Sequence, residues 1–350
     1  MTLRRTVTLW GVFWIVGIAA LHLWVNLGVR PPWAAAKGGR GDDGFRVGFL
    51  PVTCHLTCPV TDFINRSLEG EGSFEPVRFN GWPEIKEAFL SGYLPASFLL
   101  APMAMALREQ GVPLKIVYLG HRDGTAMMVH RESQIFRVED LRGKVVAVPN
   151  RFSNQRLLLM KALEDRGLTL DDVRVVEMPP PDMPAALYAK AVDAITSGEP
   201  FMGQSELDGY GRVLWLTKDV WPGFISCVLV VHEEVIAKQR ERVEALVTGI
   251  AKSGKWIDAS MDHRMQTAGF VARHYYNQDP RLLEFVLSKP PDRVTYSNLE
   301  LQRENFEEIE RLAEKAGIFE GRIGFDDYAD PSFVPDDTGL LPWAFEAGAP

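Results

Sequence analysis

Residues 140–149, Asp140-Leu141-Arg142-Gly143-Lys144-Val145-Val146-Ala147-Val148-Pro149, decide the fold. Lys144–Val148 is a short apolar run of the buried-strand type. Ser153 follows as an N-cap for a predicted helix over Gln155–Arg166, and Gly167 stops it. A strand feeding a helix is the unit of an α/β layer. This one lies mid-chain and restarts an alternation that has already run once.

Upstream, a strand over Phe45–Leu50 runs into Pro51, and a helix is predicted from about Pro59 to Leu68. A strand follows at Glu75–Phe79. A helix over Trp82–Ser91 stacks Ile85 on Phe89 at i,i+4 and stops at Gly92. Ser97–Leu100 and Leu114–Leu119 are strands around a helix that has Pro102 in its first turn and ends at Gly111. Downstream, strands are predicted at Val173–Glu177, Asp193–Thr196, Val213–Leu216 and Phe224–Val231, with a short helix from Pro184 to Val192. The chain then turns helical from Glu233 to about Met261. A last helix is expected from Ser297, whose spacing to Glu300 is that of a capping box. Its apolar side carries Phe306, Ile309, Leu312 and Ala316.

Two α/β lobes result. Lobe 1 comprises residues 45–122 plus 228–335 and lobe 2 residues 123–227, with crossings near 120–128 and 217–227. The late helices are expected to return over lobe 1, and 336–350 form a tail. A ligand is expected between the lobes, beyond the carboxyl ends of the strands.

The composition is that of an ordinary globular protein: 350 residues, 46% hydrophobic, 24% charged. It excludes low-complexity disorder and a disulfide-dense miniprotein. Net charge is -8; outside the first 44 residues there are 33 basic against 44 acidic side chains. Nucleic acid, which is held mainly by basic surfaces, is therefore no expected partner.

The N-terminus points to export. Arg4 and Arg5 precede Thr6–Val29, which holds no Asp, Glu, Lys or Arg. That length matches the ~20 residues needed to cross a bilayer. The reading is an N-terminal transmembrane helix, with the arginines inside and all that follows on the periplasmic side. A cleaved signal peptide processed at Ala34-Ala35-Ala36 is the alternative. Residues 31–41 read as a linker, so 1–44 form anchor and linker.

At this point the chain resembles the exported solute-binding proteins of ABC importers for nitrate, bicarbonate and alkanesulfonates, a group related to handlers of the thiamine pyrimidine precursor. The likeness rests on Val47–Pro51, on Ala101–Leu107, on Asp140–Pro149, on Gly198-Glu199-Pro200, on Asn298–Gly317 and on Tyr328–Phe333. It covers about residues 45–335. The resemblance implies a two-lobed periplasmic-binding-protein (type II) fold that closes on a small polar or anionic ligand, with an ABC permease as partner. Two segments depart from the pattern: Thr53–Cys58, where the transport branches have a polar pair such as Thr-Asp, and Gly92–Ala96.

The candidate ligand-binding residues are Thr53, Cys54, His55, Trp82, Pro102, Ser153, Asn154 and Glu199. Thr57-Cys58-Pro59, Ala101-Pro102 and Ser153-Asn154 open helices after strands, and free N–H groups at such ends attract anions. Ordinary capping is the competing account. Trp82 can line a cleft with its ring or staple its own helix. Glu199 can accept a ligand N–H or stay solvated. Cys54, His55 and Cys58 can contact ligand, pair as a disulfide, hold Zn or Cu, supply a nucleophile, or simply pack. No cofactor, no resident metal and no catalytic residue is expected. The function expected is that of a membrane-tethered solute-binding protein. A structural or sensory subunit of a membrane complex, or a Cys/His-dependent enzyme or metal-binding protein, are the alternatives.

Overall fold

The computed structural model of the chain describes Trp14, residues 44–69 and residues 73–335. It divides into two units, Met1–Gly44 and Phe45–Pro350. In the first, Trp14 is helical and exposed. The rest of the predicted anchor over 6–29, the linker, the alanine processing site and the 336–350 tail lie outside the described residues. Among the described residues no helix is long and apolar enough to cross a membrane.

The second unit begins with β1 (Arg46–Phe49), α1 (Thr57–Glu69), β2 (Glu75–Arg78), α2 (Trp82–Leu90), β3 (Ala96–Leu100), α3 (Ala101–Glu109) and β4 (Leu114–Leu119). A short β5 (Arg122–Asp123) leads to β6 (Thr125–His130), β7 (Val145–Val148), α4 (Asn154–Glu164), β8 (Arg174–Glu177), α5 (Met183–Tyr188), β9 (Ala194–Gly198), α6 (Phe201–Leu207), β10 (Gly211–Leu216) and α7 (Thr217–Val220). The chain then forms β11 (Cys227–His232), α8 (Glu233–Ala259), α9 (Met261–Val271), α10 (Pro280–Ser288), β12 (Val294–Thr295), α11 (Arg303–Lys315) and α12 (Phe325–Tyr328).

These elements build two five-stranded sheets, ordered β2-β1-β3-β11-β4 and β10-β6-β9-β7-β8. In the first, β1 is parallel to β2 and β3, whereas β11 is antiparallel to β3 and β4. In the second, β7 is parallel to β8 and β9, and β6 is antiparallel to β9 and β10. The chain crosses between sheets through β5 and again between α7 and β11. Antiparallel β5 and β12 form a small ribbon at the first crossing.

Alternate side chains of a strand face opposite ways, and the second sheet uses both faces. Val146 and Val148 join a core private to that sheet, together with Met127 and Val129. Ala147, Ala126 and Met128 point the other way, into a core that also holds Phe98 and Leu229 of the first sheet and Ile250 of α8. Burial on both sides is why Lys144–Val148 is a continuous apolar run rather than an alternating one.

Three expectations need correction. The Ser297 capping box does not form. Ser297 Oγ donates to Asp258 Oδ2 at 3.0 Å, Asn298 takes φ 56°, and the helix starts six residues later at Arg303. The Leu299 carbonyl is drawn to Leu119 N–H at 3.1 Å, which keeps the segment off a helical path. The strand expected from Phe224 starts at Cys227, because Phe224 and Ser226 spend their carbonyls on crossing contacts with Asp123 and Asn154. The late helices do not cover the first lobe alone: α10 packs on α6, and α11 packs on α4 as well as α3.

Gly120 sits where the first sheet meets the loop after β1. Its N–H donates to Cys227 O at 2.9 Å, and a Cβ there would lie 2.3 Å from the Cys54 carbonyl oxygen. That neighbour is backbone and cannot swing aside. Gly120→Ala is expected to destabilise the fold by roughly 1–3 kcal/mol, the usual cost of overpacking. Urea unfolding measures it, and an unchanged midpoint would show that the Cys54 backbone yields freely.

Candidate functional site

The chain after β1 runs Leu50-Pro51-Val52 and then turns through a short 3-10 helix, Thr53–His55, into α1. The turn is held from four sides. Leu50 N–H donates to His55 Nδ1 at 2.7 Å. Tyr276 and Tyr296 hydroxyls donate to the Val52 and Thr53 carbonyls at 2.7 and 2.9 Å. Thr53 N–H donates to the Glu199 carbonyl at 2.7 Å, and Thr53 Oγ1 donates to the same oxygen at 3.2 Å. His121 Nε2 lies 3.1 Å from that hydroxyl. Thr53, His55, His121 and Glu199 are all fully buried.

Glu199, at the end of β9, is the second sheet's side of this seam. Its Oε2 accepts Gly203 N–H at 2.7 Å, and Arg293 Nε stands 2.8 Å from Oε1. Arg293 also reaches Glu206 at 2.8 Å. Burial pushes the Glu199 carboxyl above its ordinary range, against the pull of Arg293 and of the Gly203 N–H.

Ser153 caps α4, its Oγ accepting Arg156 N–H at 3.2 Å. Asn154 Nδ2 donates to the carbonyls of Ile225 and Ser226. The Ser226 carbonyl also accepts Ala101 N–H at 3.3 Å, next to Pro102 on α3. Gln155 Nε2 bridges Thr125 Oγ1 and Ser226 Oγ at 3.2 and 3.0 Å. Two helix starts therefore each direct a donor at one protein carbonyl. The structure brings Thr53 and Glu199 together, and Asn154 and the start of α3 beside Pro102 to the same crossing segment at Ser226.

Trp82 stands apart from that seam. It opens α2, meets His55 edge-on with ring centroids 5.6 Å apart, and lines a cavity of about 480 Å³. Pro51, Arg78 and Gln278 line it from the first lobe, and Pro149, Asn150 and Phe201 from the second. Three of its lining residues each carry a buried polar atom without a protein partner: Trp82 Nε1, Asn150 Nδ2 and Gln278 Oε1. Asn150 Oδ1 accepts Phe152 N–H at 2.8 Å, which orients the amide with its donors free. Arg78 supplies a positive charge; Glu84, Glu177 and Asp182 supply negative ones.

Sequence reasoning missed Asn150, Gln278, Arg78 and Cys227. Asn150 follows the β7 strand end, where ligands gather, so a signal existed. Gln278 comes from a turn beyond α9 and carried none. Cys227 matters because its Sγ lies 2.7 Å from Cys54 Sγ, whereas Cys58 is a separate buried free thiol. The partner of Cys54 is thus Cys227 and not Cys58. A ring nitrogen of His55 and both sulfurs lie within 4.8 Å of one another. Nδ1 already accepts Leu50 N–H, so a neutral His55 carries its proton on Nε2. Neither nitrogen then offers a metal a lone pair. Burial, with Cys227 next in weight, holds the Cys54 thiol well above its ordinary value, the wrong direction for a nucleophile.

Residues 39–272 match the NMT1-like family. The chain belongs to that family. A taurine-binding periplasmic protein of Escherichia coli is 29% identical over 171 residues, 48% of this chain and 52% of its own length, and solved structures of a periplasmic aliphatic sulphonate-binding protein and of the desulfurization enzyme DSZB share the fold. A nitrate import ATP-binding protein of Synechocystis sp. is 25% identical over 275 residues, 72% of this chain and 40% of its own length. The chain thus spans about 40% of the curated relatives it matches first. A ligand-binding component of an ABC-type import system from Staphylococcus aureus, solved with zinc bound, is 26% identical. It superposes with TM-score 0.73 over 83% of this chain and 97% of that one. The periplasmic nitrate-binding protein NrtA of Synechocystis, 12% identical, gives TM-score 0.72 over 83% and 86%. The fold of this NMT1-like chain is the two-lobed periplasmic-binding-protein fold.

Burial, and then the nearby His55, lower the His121 pKa from 6.5 to about 3. The unfolded chain takes up this proton near 6.5, the folded one near 3. Between these values the unfolded state binds more protons, so stability falls as pH falls, by at most about 1.4 kcal/mol per pH unit. His121→Gln is expected to remove that part of the slope. Denaturant unfolding across the window checks it; an unaltered slope would mean that His121 titrates normally in the fold.

Proposed function

We propose that this chain is the extracytoplasmic solute-binding component of an ABC importer, held at the membrane by residues 6–29 and serving a permease. Family membership supports the class of activity, and the residues give it a place. The carrying observation is the cavity of about 480 Å³ between lobes, three of whose lining residues carry a buried polar atom without a protein partner. An unpaired buried polar group costs about 1–3 kcal/mol unless something bonds it. A solute that accepts from Trp82 and Asn150 and donates to Gln278 recovers that cost.

The charges narrow the solute. Arg78 and the two N–H donors suit the oxygens of an oxyanion. Gln278 Oε1 and the carboxylates of Glu84, Glu177 and Asp182 suit an amine or another donor on the same molecule. The volume, about 480 Å³, also exceeds what a bare nitrate ion fills. An organic oxyanion that carries a donor group, such as an amino-sulfonate, fits this lining better than nitrate alone. The seam residues Thr53, Cys54, His55, Pro102, Ser153, Asn154 and Glu199 stand behind the cavity and fix its walls.

Calorimetry with taurine, simple alkanesulfonates, bicarbonate and nitrate tests this directly. Trp82→Ala and Arg78→Ala are each expected to weaken binding of the preferred solute about tenfold or more, by leaving its polar groups unpaired, with near-normal melting for the exposed Arg78 change. Full-strength binding in both variants would move the site out of this cavity. Fractionation of cells making the full chain tests the anchor, and a soluble exported product would defeat it.

A further inference from the structure

The two buried sulfurs beside the seam are used by none of the contacts a solute would need. We propose that Cys54 and Cys227 form a disulfide that fastens the loop after β1 to the start of β11. The geometry carries this. The sulfurs lie 2.7 Å apart, well inside ordinary contact for two sulfur atoms, on residues 173 positions apart in sequence. Both are buried, and Cys227 Sγ has Ser226 Oγ nearby at 3.6 Å. Gly120 permits the approach: any Cβ there would strike the Cys54 carbonyl and crowd that of Cys227.

The chemistry agrees. In the folded chain burial raises the Cys227 thiol, but the Cys54 thiol and His55 outweigh it and leave Cys227 at about 6, so an unoxidised pair would hold a buried partial charge. The oxidant is a second disulfide, of glutathione or of a thiol–disulfide oxidoreductase. Cys227 thiolate attacks one sulfur of that disulfide, and the sulfur leaving as thiolate takes a proton. Cys54, giving its proton to the second leaving sulfur, then attacks Cys227 Sγ and closes the bond. Two thiols are oxidised and one disulfide is reduced. The product removes a buried partial charge and leaves Cys58, buried on α1, as the remaining thiol. Because the seam covers both sulfurs, the bond forms before the lobes settle on it.

The full chain, reduced and unfolded, is refolded in a mixture of reduced and oxidised glutathione, then denatured and alkylated with iodoacetamide. Intact mass should show one alkyl group, and a non-reduced digest should contain a Cys54–Cys227 cross-linked peptide. Reduction should lower the Tm of the unmodified chain and of Cys58→Ser by several degrees, and leave Cys54→Ser and Cys227→Ser unmoved. Three alkyl groups after oxidative refolding, a bond that includes Cys58, or a stoichiometric metal retained with both thiols reduced would each overturn the assignment. Should the serine variants fail to fold, the peptide map of the unmodified chain decides alone.

Discussion

Glu199 is a carboxylate with no access to water, and the join between lobes is organised around it. Its main chain receives Thr53 twice, through the N–H and the hydroxyl. Its side chain faces Arg293 and the Gly203 N–H. Burying a charge is tolerable only when it is paired and hydrogen-bonded, and these partners come from distant parts of the chain. Thr53 follows β1, Gly203 opens α6, and Arg293 arrives on the link from α10 to β12. Placing one carboxylate therefore fixes the loop after β1, the end of β9 and the return of the C-terminal helices at once. Arg293 in turn is seated through its neighbours, since Arg264 donates to the Pro291 and Val294 carbonyls on either side of it.

That arrangement explains why the cavity lies where it does. The seam takes up the polar groups nearest the crossings, so the open space is displaced toward Trp82, Asn150 and Gln278. Trp82 links the two regions: its ring meets His55 of the seam edge-on, and the residue lines the cavity. A shift of the loop after β1 is felt by the indole through that edge-on contact. The pocket and the seam thus adjoin through the Trp82–His55 contact.

How much of this could be read from residues alone depended on range. Local signals carried far. Ser153 caps its helix through its own hydroxyl, Pro102 sits in the first turn of α3, and Lys144–Val148 lies almost wholly within a doubly buried strand. The capping box at Ser297 failed because tertiary partners outbid it: Asp258 takes the hydroxyl and Leu119 takes the next-but-one carbonyl. Pairings across long separations were out of reach. Cys54 has a neighbouring cysteine four residues on, yet its partner is 173 residues away, because the 3-10 turn aims its sulfur at β11 rather than along α1. Gln278 enters the cavity only because Asn277 takes a left-handed conformation, φ 50°, after the π-turn that ends α9. No periodicity in the sequence marks such a turn.

The energetics of the seam bear on the binding proposed for the cavity. A buried ion pair contributes little net stability, because its attraction is offset by the water both ions have lost. Parting the lobes would rehydrate Glu199 and return to water hydrogen bonds worth about 0.5–1.5 kcal/mol each. The polar contacts of the seam therefore add more to the geometry of the join than to its stability. A solute shifts a two-state equilibrium only by its differential affinity for the two states, and gaps of a few kcal/mol are within that reach. Groups that span the cavity supply such a difference, since Trp82, Arg78 and Gln278 belong to one lobe and Asn150 to the other. A solute touching all of them bonds fully only when the lobes are together.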